Sequence, residues 1–164
     1  MVAILSEFLA LERGFSPAYA GKIRIAALLH DVGKLAIPKA ILNKPGKLNA
    51  DEYEIIKTHT LIGAAMMKNV RGDLGTVIRN VCANHHEWYS PEHGGYWGLR
   101  ADDLPPCTPI VSICDTFCAL IHARPYKTAW SWDDALKYIK NQSGGQFNPA
   151  LAADFIALVT RIKK

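Results

Sequence analysis

His30-Asp31, His59, His85-His86 and Asp115 interrupt stretches of sequence that are otherwise apolar. Asp115 is the only charged residue between Thr108 and Ile121, set among Ile110, Val111, Ile113, Phe117 and Leu120. A carboxylate is costly to bury there unless it is hydrogen-bonded, paired or bound to a metal. A structural aspartate at a helix crossing and a metal ligand both meet that condition. His59 lies one helical turn from Ile55 and from Ile62-Gly63, so its imidazole faces the core, as a satisfied core residue or as a ligand. His30-Asp31 closes the apolar run IRIAALL. His85-His86 closes another, and a vicinal pair diverges by about 100° on a helix, so both rings reach one site only near a helix end. Four imidazoles and two carboxylates, with no thiolate at matching spacing, suit iron, manganese, zinc or nickel rather than a structural zinc clip. Six donors exceed a closed tetrahedral set. They point to two metals about 3.5–4 Å apart, bridged by Asp31 or Asp115, a pair that lowers the pKa of bound water toward about 7 and clamps a phosphoryl oxygen.

The elements that must position these residues are helices. Ile4, Leu5, Phe8 and Leu11 recur at three-to-four spacing and predict an amphipathic helix over Ala3–Leu11. Ser16-Pro17 reads as an N-cap with proline at the first helical position, opening a helix that runs to His30-Asp31. Pro38 starts a short helix, IPKAIL. Asn49, with Glu52 three residues on, reads as a capping box opening one long helix that carries Tyr53, Ile56, His59, Leu61, Ile62 and Met66. Another helix runs from about Leu74 to His86 and gives way to the polar loop SPEHGGYWGLRADD. Thr108-Pro109 opens an apolar helix to about His122, Ser131 with Asp134 caps the next, and Asn148-Pro149 opens the last. With no period-two segment, the expectation is an all-α fold, a compact bundle of six or seven helices in one domain over residues 1–164.

Composition narrows the function classes. The chain is 49% hydrophobic and 21% charged, the balance of an ordinary globular domain. A net charge of +4 favours an anionic ligand, but the basic residues are scattered, so no DNA partner is expected. No apolar run approaches the ~20 residues of a membrane span, and the N-terminus lacks a basic leader region. The expectation is a cytoplasmic protein with no membrane insertion. Cys82, Cys107, Cys114 and Cys118 form no CxxC pair; Cys114 and Cys118, one turn apart, read as buried thiols.

The run LLHDVGKLAIPKAILNKPGKLNADEYEIIKTHTLIG resembles the HD superfamily of metal phosphohydrolases, and its HD-GYP branch in particular. The resemblance continues through NHHEW, GGYWGL and ICDTFCALIHARPYK to GGQFNP, covering the chain from about Ala26 onward. It implies an all-α domain holding two or three metals, often iron or manganese, that hydrolyses cyclic di-GMP. Carried over by position, the ligands are His30, Asp31, His59, His85, His86 and Asp115, the six reached above from burial. It also implies that Asp31 and Lys34 are catalytic and that Lys34, Gly95, Tyr96, Arg124 and Lys127 bind substrate, with Lys34 on the scissile phosphate and Arg124 and Lys127 on the other.

Three departures stand against the family pattern. The loop after HHE, usually Arg-x-Asp-Gly-x-Gly-Tyr-Pro, lacks the Asp-Gly, is two residues longer, and carries Trp97 in place of Pro. In that loop Tyr96 and Trp97 offer aromatic faces for a guanine. The second acid of Asp-x-x-Asp-Ala-Leu is Cys118. The extra Glu and His of trinuclear members fall upstream of the first residue, so two metals are expected, and the chain reads as lacking the start of its first helix and an upstream sensory domain. The expected activity is phosphodiester hydrolysis by a dinuclear-metal-activated hydroxide on cyclic di-GMP or a related phosphodiester. Iron or manganese is expected, with zinc, nickel or cobalt as alternatives. The rival readings are a degenerate domain that binds cyclic di-GMP or a protein without turnover, and an HD nucleotide phosphohydrolase of other specificity. Expected partners are the cyclic dinucleotide, a diguanylate-cyclase or sensory-domain protein, and a second copy of the chain.

Overall fold

The computed structural model describes residues 1–123 and 128–163. Helices α1 (Val2–Glu12) and α2 (Pro17–Leu29) lead into a 3-10 turn, Val32–Ala36, and the single-turn α3 (Lys39–Leu42). Then come α4 (Ala50–Lys57), α5 (His59–Met66), α6 (Gly72–Asn84), α7 (Cys107–Ile121), α8 (Trp132–Asn141) and α9 (Pro149–Ile162). Among the described residues no strand forms; Ser143 and Phe147 make one isolated bridge. The all-α class is as expected. No helix among these residues is long and apolar enough to cross a membrane.

The Ser and Asn caps form as expected, whereas Thr108-Pro109, expected to open the apolar helix, lies inside α7, which starts at Cys107 behind Pro106 with no side-chain cap. Ser16 accepts from the Tyr19 amide with Pro17 at the first helical position, and Asn49 and Glu52 complete a reciprocal capping box. Ser131 accepts from Asp134, and Asn148 from Ala150 and Leu151. These bonds satisfy amide groups that a helix start otherwise leaves without partners.

Two further elements differ from expectation. The long helix expected from Asn49 through Met66 is broken at Thr58 into α4 and α5. Three consecutive side chains take the carbonyls of the last α4 turn: Thr58 Oγ1 donates to Ile55, His59 Nδ1 to Ile56 and Thr60 Oγ1 to Lys57. Such local side-chain bonds compete with helix continuation. In α1, Ile4 and Phe8 are exposed while Ala3, Leu5, Leu9 and Ala10 are buried. That helix is apolar nearly all round, and its small residues allow close approach to neighbouring helices.

The core is a single cluster with α7 through it. Ile110, Val111, Ile113, Cys114 and Phe117 are buried, as suits a helix without a polar face. Phe117 packs edge-to-face on Phe155 of α9 and on Trp132 of α8. All four cysteines are free and buried.

Candidate metal centre

Four segments meet at one point: the end of α2, the first residue of α5, the turn closing α6, and the middle of α7. His30 Nε2 lies 3.4 Å from Asp31 Oδ2 and 3.4 Å from Asp115 Oδ1. On the other side of Asp31, Oδ1 lies 3.3 Å from His59 Nε2 and 3.7 Å from His85 Nε2. Ligand atoms of Asp31, His59, His85 and His86 all fall within 4.8 Å of one another. The six sequence-predicted ligands therefore come together, and Asp31 spans the two halves.

Local backbone geometry aims each ring. His30 Nδ1 donates to the Ala27 carbonyl (2.7 Å), His59 Nδ1 to Ile56 (2.6 Å), and His85 Nδ1 to Val81 and Cys82. A proton held on Nδ1 leaves the Nε2 lone pair free for a metal, the arrangement usual in metal-ligating histidines. His30, His59 and His85 Nε2 and Asp31 Oδ1 are buried and lack a hydrogen-bond partner. Buried polar atoms are rarely left so, and this donor set fits bound cations. His85 and His86 lie just past the last residue of α6, where a vicinal pair can share a site.

Charge among the side chains of the centre is settled by proximity. Burial alone pushes His30 down, but the Asp115 and Asp31 carboxylates outweigh it and raise its pKa to about 10. Asp31 is raised by burial but held well below the usual carboxylate range by His30, His59 and His85. His86 drops to about 3, first from burial and then from the charge of His85. The His30 imidazolium thus sits between the Asp31 and Asp115 carboxylates, and two carboxylates gathered at one point favour a cation.

Close packing of two glycines brings the halves together. A Cβ on Gly33 would lie 1.9 Å from the His59 carbonyl oxygen and 2.6 Å from the Gly63 amide nitrogen. Only glycine lets the turn that carries Asp31 and Lys34 press on α5.

Beside the centre opens a cleft of about 350 Å³, lined by Asp31, Lys34, His59, His86, Tyr96 and Asp115 among others. Lys34 Nζ donates to Asp31 Oδ2 at 2.5 Å. Tyr96 does not stand as a free stacking face: its ring lies 4.4 Å from His86, tilted 31°, and meets Tyr53 edge-on. The Trp97 indole sits over Lys57 Nζ at 5.0 Å and donates to Thr60 Oγ1. Gly95 turns toward Glu87 and Trp88 at φ +103°. Cys118 is buried, and that burial raises its thiol to about 12. Arg124 and Lys127 lie outside the described residues.

Sequence reasoning missed Glu87, Gly33 and Gly63. Glu87 is buried and accepts from the amides of Tyr96 (3.1 Å), Trp97 (2.8 Å) and Leu99 (3.0 Å). Its place directly after two candidate ligands was the available signal, but no spacing rule connects it to residues 96–99.

Residues 2–151 match the HD domain family. Relatives include the cyclic di-GMP phosphodiesterase response regulator RpfG of Xanthomonas campestris, 40% identical over 85% of this chain and 37% of that one. A cyclic di-GMP phosphodiesterase of Thermotoga maritima is 35% identical over 98% of this chain and 44% of its own length. The 3'3'-cGAMP-specific phosphodiesterase 2 of Vibrio cholerae is 38% identical over 92% of this chain and 28% of its own. The chain thus spans less than half the length of each. Among solved structures, the HDG"Y"P protein Bd1817 of Bdellovibrio bacteriovorus has the same fold, with a TM-score of 0.74 at 22% identity over 97% of this chain and 50% of that one.

Proposed function

The chain belongs to the HD domain family, in its HD-GYP branch, and on that premise we propose that it hydrolyses a phosphodiester bond of a cyclic dinucleotide with two divalent transition metals bound. One observation carries the reading: unpartnered buried atoms of His30, Asp31, His59 and His85 converge beside an open cleft. Imidazole and carboxylate atoms gathered out of water without hydrogen-bond partners are costly unless cations join them.

His59, His85 and His86 would hold one metal, and His30 with Asp115 the other. Asp31 offers Oδ1 toward the first group and Oδ2 toward the second, which favours Asp31 over Asp115 as the bridge. Nitrogen and oxygen donors without thiolate suit iron or manganese, and also accept zinc, nickel or cobalt. When bound, the metals supply Lewis acidity toward a phosphoryl oxygen and a water of lowered pKa.

The remaining work falls to the chain's own residues. Lys34 holds Asp31 in place, and its ammonium faces the cleft, within reach of equatorial phosphate oxygens as their charge grows. Arg124 and Lys127 are assigned by resemblance to the second phosphate, where a guanidinium fork and a compact ammonium complement each other. Ile56, Ala119 and Leu120 give the cleft an apolar wall against which a nucleobase can lie. The substrate class follows the relatives named for cyclic di-GMP and 3'3'-cGAMP.

The test is reconstitution of the purified chain with manganese or iron, elemental analysis, and chromatography of cyclic di-GMP and 3'3'-cGAMP reactions. Two ions per chain and a linear or mononucleotide product are expected. Protein that takes up no metal refutes the centre, and metal-loaded protein that binds the dinucleotide without cleaving it refutes the activity in favour of a binding module.

A further inference from the structure

The carboxylate of Glu87 is buried with no ion pair among the described residues, and both oxygens are committed to backbone amides of one loop. Oε1 takes the N–H groups of Tyr96 and Trp97, and Oε2 takes that of Leu99. The loop needs this: residues 94–99 form no regular structure, so their amides have no ladder to join. Two glycines allow the approach. A Cβ on Gly94 would fall 2.7 Å from the Trp88 ring, and one on Gly95 would fall 3.2 Å from the Trp88 nitrogen.

A second tie fixes the far side of the loop. Trp97 Nε1 donates to Thr60 Oγ1 at 3.1 Å, and Thr60 itself donates to the Lys57 carbonyl. Lys57 Nζ lies over the Trp97 ring at 5.0 Å and the Tyr96 ring at 5.9 Å. A proline at position 97, as in the usual family loop, can make neither the amide bond to Glu87 nor the indole bond to Thr60. Between these ties sits Tyr96, its ring on His86 and facing His59 edge-on.

We propose that Glu87 and Trp97 are positioning residues that fix Tyr96 on the imidazole of His86, setting both that ring's orientation and one wall of the cleft. The consequence for turnover rests on the phosphodiesterase reading; the positioning itself does not. Neither residue touches the centre, and each acts through Tyr96.

Glu87→Gln keeps the side chain's size but turns one arm into a donor, which then faces an amide donor. Thr60→Val removes the acceptor of the indole at nearly constant volume. In the metal-loaded chain, hydrogen exchange at the Tyr96, Trp97 and Leu99 amides is expected to rise on the order of tenfold or more in Glu87→Gln. In Thr60→Val the rise is expected to be smaller and centred on Trp97. Exchange in α6 and α7 and the metal content should stay as in the parent. With cyclic di-GMP, KM should rise more than kcat falls, and a small artificial phosphodiester should be affected less. Unchanged exchange at all three amides in Glu87→Gln overturns the proposal. Loss of metal together with α6 protection also overturns it, since Glu87 would then support the helix end rather than the loop. If the parent chain cleaves no phosphodiester, the exchange measurement still decides the positioning claim, and the failure falls on the proposed function alone.

Discussion

Replacing Gly33 with alanine places a methyl group where two backbone atoms of α5 already stand. The new Cβ would lie 1.9 Å from the His59 carbonyl oxygen, about 1.1 Å short of the 3.0 Å that real contacts keep. Neither the His59 carbonyl nor the Gly63 amide can swing aside as a side-chain tip can, so the turn of residues 32–36 must lift by roughly an ångström. Asp31 and Lys34 ride on that turn. Asp31 Oδ1 sits 3.3 Å from His59 Nε2, and metal–ligand distances tolerate only about ±0.2 Å. Two costs follow. Overpacking is worth about 1–3 kcal/mol, which lowers Tm by about 2–12 °C for a chain of this size. Loss of bound metal removes about 2.7 kcal/mol more where metal exceeds its Kd a hundredfold. Gly21→Ala is the control: nothing lies within 4 Å of its Cβ, and alanine in a helix should stabilise by about 0.5–1 kcal/mol. Elemental analysis and thermal melts, each with and without chelator, read both effects. Gly33→Ala protein that keeps the parent's metal content and melting temperature would refute the claim that this contact sets the centre.

Further expectations concern protons, ligands and caps. In metal-free protein, His30 is raised to about 10, so its contribution is full below pH 6.5 and is lost as pH rises toward 10; His86, lowered to about 3, contributes fully above 6.5 and loses stability as pH falls below it. The melting temperature of the chelated chain should therefore peak near pH 6.5 and decline on each side, with a slope limit of about 1.4 kcal/mol per pH unit per proton; a flat profile from pH 5 to 9 contradicts the charge assignment. His86→Ala should lose metal and turnover together, whereas Lys34→Ala should keep the metal and lose turnover; equal metal loss in the two would show that the Asp31 bond is the main role of Lys34. Asn49→Ala breaks the capping box and should cost about 0.5–2 kcal/mol by denaturant unfolding, with metal content unchanged.

The ends of the helices were legible from local chemistry. A Ser or Asn at a helix start accepts from amides two or three residues away, and the caps read at Ser16, Asn49, Ser131 and Asn148 formed, while Thr108-Pro109 fell inside α7. The candidate ligands were legible for a related reason. An Asp or His on an apolar segment is costly to bury, so its mere presence at positions 30, 31, 59 and 115 marks a site that must be satisfied.

What only the tertiary structure decided lies in contacts between distant segments. The sequence could not choose the buried face of α1, because an all-round apolar helix has no preferred stripe and the choice falls to the shape of its neighbours. Nor could it tell whether Asp31 or Asp115 faces both groups of histidines, since that depends on how α2, α5 and α6 cross. Glu87 shows the limit most clearly. Its partners are nine to twelve residues away in an irregular loop, beyond the reach of any helical period. The same loop, read from sequence as a pair of open aromatic faces, is held against His86 and Thr60. Identity and spacing disclose what a side chain requires; which atom meets that requirement is fixed only when the chain packs and distant backbone amides come within hydrogen-bonding range.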